Sequence, residues 1–280
     1  MANAEQKELW NGDSARHRVA HDARYAAMQA RHTVRLLAAA GIARAHHVLD
    51  VGCGCGATAR AAAERAPAGS VLGVDLSEAM LDHARERAAA AGLRNLRFGR
   101  VDAQEHPFPP AAFDVVLSQY GVMFFEDPPA AFANLRRALR PGGRLAFLCW
   151  QAPGRNDLQT VVDAALAEHL DLPCAEDGAA PGPFSLADPE RVRDLLEKAA
   201  LSGIRIVPVT DPLWLGADAS DAATFLRGRP RLRELLAAVD PDTAERAMDA
   251  ARRALLRFET SDGVLLGAAS WLVTATRPTP

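Results

Sequence analysis

The sequence predicts an α/β fold: a doubly wound, mostly parallel sheet of seven strands, preceded by a helical segment and carrying helical insertions after strands five and six. Two patterns and the chain length predict it. Short aliphatic runs such as 48–51 and 71–75 end in polar loops and alternate with alanine-rich stretches of helical character. Glycines at alternate positions directly follow the first such run, where the backbone must turn tightly. With 280 residues, 49% of them hydrophobic and 24% charged, the chain can bury a large core.

The elements follow in order. Residues 3–41 read as helical: Leu9 and Trp10 close a short amphipathic piece, Asn11-Gly12 breaks it, and Asp13 or Ser14 can cap a longer helix. On that helix His17, His21 and Tyr25 share a face at four-residue spacing. The segment is expected to act as a lid, with Trp10 and Tyr25 as walls and His21 as a candidate catalytic base. Two histidines at this spacing also match a metal pair, but no third ligand is evident. The first strand spans 48–51, Gly52, Gly54 and Gly56 follow, and 57–66 read as a helix. Strand, glycine loop and helix start form a nucleotide cradle, because no Cβ blocks a ligand and the first helical N–H groups are free. A second strand, 71–75, ends in Asp75, about 20 residues beyond the loop, as suits a carboxylate accepting ribose hydroxyls. Ser77 caps a helix over 78–91 and Gly92 stops it.

A third strand at 96–98 leads to Asp102, and a fourth at 113–118 ends in Gln119-Tyr120-Gly121. A helix at 130–139, the turn Arg140-Pro141-Gly142-Gly143 and a fifth strand at 144–150 complete this part. Beyond Trp150, helices are expected at 158–170, 189–200, 222–226, 230–239 and 241–258. Strands are expected at 204–209 and 271–276, and loops at 153–157 and 173–183.

Two ligand classes fit the glycine loop. Gly52, Gly54 and Ala57 satisfy the dinucleotide pattern, whereas Gly52, Gly54 and Gly56, preceded by Asp50, satisfy G-x-G-x-G. The series VLDVGCGCG, GVDLSEAM, RVDAQEHPF, FDVVLSQYG and LRPGGRLAF resembles, in order and spacing, the class I S-adenosylmethionine-dependent methyltransferases, and in style the ubiquinone/menaquinone-type enzymes. The resemblance covers residues 46–150. It implies a Rossmann-like fold, S-adenosylmethionine as cofactor, and one domain: a lid (1–45), a cofactor-binding core (46–150), and a remainder (151–280) that completes the sheet and supplies a substrate cap. Gly52, Gly54 and Gly56 would pass beneath the methionyl and ribosyl portions, Asp75 would hold the ribose, Asp102 the adenine amino group, and Met80 would pack on the adenine. Asp50, Cys53, Leu76, Ala103, Ser118 and Gln119 would complete the cofactor contacts, with Trp10 and Tyr25 from the lid.

The acceptor is expected after strand four. That stretch lacks the Asp/Asn-Pro-Pro-aromatic and Pro-Cys signatures of nucleic-acid methylation, and there is no basic stripe. Tyr120, Met123, Phe124 and Phe125, with Trp150 and Trp214, predict a pocket for an apolar or aromatic small molecule, Tyr120 being the second catalytic candidate and His17 a further base. The accepting atom, oxygen, carbon or nitrogen, stays open. The other readings are an NAD(P)-binding oxidoreductase on the same loop and a non-catalytic nucleotide-binding regulatory subunit.

A net charge of −3 gives no general pull towards nucleic acid or anionic membrane. The start of the sequence lacks a hydrophobic signal segment, and apolar stretches such as 264–273 are too short to span a bilayer, so no stable membrane insertion, a cytoplasmic location and a monomer or homodimer are expected. Of the four cysteines, Cys53 and Cys55 are too close for a disulfide and lack a second pair for zinc. Small size explains them, and no metal site is expected.

Overall fold

The computed structural model describes residues 3–172 and 180–279; Cys174 and most of the loop expected over 173–183 lie outside the described residues. Four helices come first: α1 (Ala4–Leu9), α2 (Asp13–Ala20), α3 (Asp22–Met28) and α4 (Ala30–Ala40). The break at Asn11-Gly12 falls where the sequence places it, but Gly12, not Asp13 or Ser14, takes the N-cap position of α2. The expected long helix is divided at His21 (φ −118°, ψ 25°) and Gln29 (φ −104°, ψ 8°), whose backbone leaves the helical region. A tertiary contact lies at the first break: Asp22 is buried and sits 3.0 Å from His83 Nε2.

The next part alternates β1 (His47–Val51), α5 (Ala57–Arg65), β2 (Ser70–Asp75), α6 (Glu78–Ala90), β3 (Leu96–Arg100), β4 (Phe113–Gln119), α7 (Pro128–Ala138) and β5 (Leu139–Trp150). A π-helical segment at Leu158–Asp163 runs into α8 (Ala164–Ala167), in place of the α-helix expected over 158–170. Then come α9 (Pro189–Lys198), β6 (Ser202–Val209), β7 (Leu213–Gly216), α10 (Ala219–Gly228), α11 (Pro230–Ala237), α12 (Pro241–Leu255), β8 (Glu259–Thr260), β9 (Gly263–Leu266) and β10 (Ser270–Thr276).

Seven strands form one sheet in the order β3-β2-β1-β4-β5-β10-β6, with β10 antiparallel to both neighbours. Val48 and Leu49 of β1 and Val116 and Leu117 of β4 are fully buried, as strands covered by helices on both faces require. The chain reverses direction of build between β1 and β4, so the loops after β1, β2, β3 and β4 open at one edge beside a topological switch point. Ser77 caps α6 through Met80 N–H, and Gly92 follows that helix at φ +68°. β5 starts at Leu139 rather than Arg144. Its pairing with β4 jumps from Phe113↔Leu139 to Val115↔Arg144, so the Arg140-Pro141-Gly142-Gly143 turn bulges out of the strand instead of preceding it.

A second, smaller apolar cluster packs α10, α11 and α12 with α8, β7 and β9, and takes in Tyr25 and Met28 from α3. The sheet β7-β9-β8 within it was not foreseen, its strands being too short to show alternation. Arg24 ties the N-terminal helices to this cluster: it forks onto Asp221 (2.8 and 2.9 Å) and donates to the Leu215 carbonyl (2.6 Å).

Candidate functional site

A cavity opens at the switch point. Its floor is the loop after β1, where Gly54 has φ +52° and a Cβ there would meet only Met80 Sδ, at 3.9 Å; the space beyond is the cavity itself. Gly52 needs its missing Cβ for another reason: Cα of Gly121 lies 2.7 Å from where that atom would be. Gly56 lies outside the cavity, and a Cβ on it would strike Phe98 and Ala84, so this glycine serves helix packing.

Among the described residues four carboxylates line the cavity: Asp22 of α3, and Asp50, Asp75 and Asp102 in or after β1, β2 and β3. Asp50 is 1% exposed and, among the described residues, neither of its oxygens has a hydrogen-bond partner. Burial, reinforced by the charge of Asp75, pushes its carboxyl well above the usual range. Asp75 accepts N–H bonds from Gly54 (2.8 Å) and Ser77 (3.0 Å), which orient it at the wall; burial raises its pKa while those bonds oppose the rise. Asp102 accepts the Gln104 N–H (3.0 Å). Both its oxygens also face the side-chain amide of Asn3, whose Nδ2 lies 2.9 and 3.0 Å away, and Lys7 Nζ is at 3.7 Å. Asn3 is itself pinned, its Oδ1 accepting the Glu126 N–H and its own N–H donating to Glu126 Oε2.

At the opposite end Gln119 Oε1 lies 2.9 Å from the Thr33 hydroxyl and 3.0 Å from the Thr58 hydroxyl, while its Nε2 donates to Gln29 Oε1. Leu76, Met80, Ala103 and Cys53 complete the walls, and Trp10 and Phe124 meet edge to face at 5.4 Å beside them. Phe124, expected in the substrate pocket, thus lines this first cavity. Burial pushes the Cys55 thiol up to about 12, and that of Cys53 upward as well, so neither is a thiolate at neutral pH.

A second cavity, about 460 Å³, adjoins the first and shares Trp10, Arg18 and Tyr25 with it. Its apolar walls come from Leu158, Val162 and Leu166 on one side and Leu226, Leu232 and Leu235 on the other.

Other expected site residues lie elsewhere. Ser118 is fully buried and ties strand tips together, donating to the Val51 carbonyl (2.7 Å). Tyr120 lines the first cavity but points its hydroxyl into the core, 2.6 Å from His32 Nδ1 and 2.9 Å from Ser270 Oγ. Because His32 Nε2 faces the Asp211 carbonyl at 2.7 Å it must carry the proton, so Nδ1 accepts from Tyr120. Tyr120 also holds a left-handed backbone (φ +63°), kept by this network and by stacking on Trp150 at 4.0 Å. Trp150 and the buried Met123, expected to meet substrate, belong to neither cavity; the Trp150 N–H points at Met123 Sδ. Trp214 sits on β7, its Nε1 donating to Asp262 and its face under Arg24, away from both cavities. His21 is exposed on the outer side of His17 and also lies outside them.

Asn3, Gln29, Thr33, Thr58, Arg18 and Asp22 enter the first cavity without having been foreseen. A signal existed for some: the four-residue spacing 17, 21, 25 continues to Gln29 and Thr33, and Arg18 and Asp22 run parallel to it. Among the described residues no group of three His, Cys, Asp or Glu side chains is placed to hold a metal ion, and no helix is long and apolar enough to cross a membrane.

A parallel sheet whose first loop forms a glycine floor, with carboxylates at the tips of successive strands, defines a class of α/β proteins that hold an adenosine-bearing ligand. A family profile described as "Methyltransferase domain" matches residues 48–143. The nocamycin O-methyltransferase of Saccharothrix syringae is 32% identical over 240 residues, covering 82% of each chain. A demethylmenaquinone methyltransferase of Thermus thermophilus is 42% identical over 106 residues, 38% of this chain and 48% of that one. In structure, the YcgJ protein of Bacillus subtilis matches with TM-score 0.59 at 19% identity, over 89% of this chain and all of that one, a likeness of fold. The chain belongs to the class I S-adenosylmethionine-dependent methyltransferases.

The cavity fits that cofactor on its own chemistry. Asp50 is an orphaned buried carboxylate that a cationic group would satisfy, and the space above Gly54 is one that a Cβ would fill.

Proposed function

We propose that the chain transfers a methyl group from S-adenosylmethionine to a nucleophilic atom of an apolar or aromatic small molecule seated in the second cavity. The observation that carries this reading is the common wall, Trp10, Arg18 and Tyr25, between a carboxylate-lined cavity and an apolar one. When bound, S-adenosylmethionine supplies a methyl carbon on a positively charged sulfur, open to in-line displacement.

The chain's own residues do the rest. Asp50 meets the positive charge of the amino-acid portion, Asp75 accepts the ribose hydroxyls, and Asp102, once freed of Asn3, accepts the adenine amino group. The Gln29–Thr33–Thr58–Gln119 cluster fixes polar groups near the tip of β4, and Trp10, Tyr25 and Phe124 exclude water from the junction. The Tyr120 hydroxyl donates inward to His32, so it holds shape and takes no proton from an acceptor. A phenol or enol acceptor is acidic enough to need orientation alone. Oxygen is the favoured accepting atom, since the relative matched over 82% of its length is named for O-methylation.

Differential scanning of the purified chain tests the cofactor: S-adenosylhomocysteine at a hundredfold excess over its Kd should stabilise by about 2.7 kcal/mol, and NAD or NADP should not. Mass spectrometry on mixtures with S-adenosylmethionine and hydroxynaphthalenes should then show S-adenosylhomocysteine and a monomethylated product. A shift with NAD alone would return the loop to a dinucleotide.

A further inference from the structure

The second cavity is apolar along two walls but carries arginines at one end. Arg18 and Arg229 line it, and among the described residues Asp163 is its one carboxylate. Arg229 is half-buried and, among the described residues, forms no side-chain hydrogen bond or ion pair; its charge reaches Asp163 and His17 only through space. The Arg18 guanidinium is held at the boundary of the two cavities, 4.3 Å above the Tyr25 ring and 5.7 Å from that of Trp10. Arg229 is also the N-cap residue of α11, which starts on Pro230 with no side chain over its first turn, so the positive end of that helix adds to the same corner. The neighbouring imidazole feels this field. His17 is 9% exposed, its Nε2 has no hydrogen-bond partner among the described residues, and burial followed by the charges of His21, Arg229, Arg18 and Arg233 holds its pKa down to about 4. A cavity meant for a neutral hydrocarbon has no use for the Arg229 cation at its end, because desolvating it there is unfavourable without a paired counter-charge.

Resting on the methyltransferase reading, we propose that the acceptor carries a carboxylate beside its apolar body, and that Arg229, assisted by the start of α11, receives it while Arg18 covers the passage to the cofactor. The acceptor class is thus an aromatic or alicyclic acid. The apolar walls at Leu158, Val162 and Leu166 hold the ring system, and the cavity of about 460 Å³ suits a molecule of two or more fused rings. Charge gives selection among acceptors of similar shape, and a forked guanidinium gives the carboxylate one orientation.

Calorimetry on the full chain saturated with S-adenosylhomocysteine tests this, using 1-hydroxy-2-naphthoate and its neutral isostere 1-hydroxy-2-naphthamide. The acid should bind about tenfold tighter or more than the amide at low salt, and the ratio should shrink as salt rises. Arg229→Gln should bring the ratio close to one, whereas Arg229→Lys should keep part of it. Leu166→Ala should weaken both compounds alike and leave the ratio unchanged. Equal binding of the two compounds, a preference that survives Arg229→Gln, or no binding of either overturns the proposal. S-adenosylhomocysteine binding, measured first on each protein, separates the two levels: a chain that takes it but ignores the carboxylate fails this proposal alone, and one that refuses it fails the functional reading.

Discussion

Asp50 carries a stability cost in the ligand-free molecule. Its folded pKa is raised, so the folded state holds the proton more tightly than the unfolded chain does. Its contribution to stability is therefore present below the usual carboxylate range and is lost as pH rises through the raised value. Asp50→Asn is expected to raise the melting temperature of the ligand-free protein at neutral pH, by about 2–4 °C for each kcal/mol recovered, and to weaken S-adenosylmethionine about tenfold or more. An unchanged melting temperature with intact affinity would take Asp50 out of the site. Tyr120 presents the converse case. Tyr120→Phe leaves His32 Nδ1 without its donor and should cost about 1–3 kcal/mol in folding, with turnover per folded molecule near that of the parent. Turnover lost at unchanged stability would place the hydroxyl in the chemistry.

Among the elements, those built on local pattern were legible in the sequence and those built on long-range contact were not. The run Val48–Val51, the glycines after it and the Ser77 cap announce themselves within a dozen residues, because strand burial, positive φ and capping are local requirements. Trp214 was drawn into the pocket by its aromatic character, yet a sheet of two- to four-residue strands, invisible to periodicity, turns it away. The arginines of α11 and the amide of Asn3 reach their cavities only through tertiary packing. The seating of α2 has its own test in pH. His17 has a depressed pKa, about 4 against an ordinary 6.5, so the unfolded chain takes up its proton first. The stability this residue supports is complete above about pH 6.5 and is lost as pH falls towards 4. His17→Phe is expected to flatten that limb of the melting-temperature profile; buried His32, also depressed, keeps a residual slope. An unaltered profile would mean that α2 does not bury His17 in solution.

Over the whole molecule, one set of side chains walls both cavities, so the two binding events are linked. If Trp10, Arg18 and Tyr25 settle when either site fills, S-adenosylhomocysteine tightens 1-hydroxy-2-naphthoate by the same factor that the acid tightens S-adenosylhomocysteine, a factor typically about 5–150-fold. Trp10→Ala should shrink both factors together, and calorimetry in either order of addition measures them. The contact between Asn3 and Asp102 has a different consequence. A primary amide presents the same NH2 group as an aminopurine, so the chain holds an intramolecular mimic of its ligand's base on the carboxylate that the base would use. The mimic is tethered, always present, and independent of protein concentration. Apparent affinity for any adenosine ligand then equals the intrinsic affinity scaled by the fraction of time the tether is undocked. Asn3→Ala should tighten S-adenosylhomocysteine about two- to tenfold by calorimetry and change the affinity of its inosine-containing analogue, which lacks the amino group, much less. Weaker binding in that variant would instead make Asn3 the residue that holds Asp102 in position. With the tether acting as a competitor, the first turns of the chain would raise, by one constant factor, the ligand concentration at which half of the sites are filled.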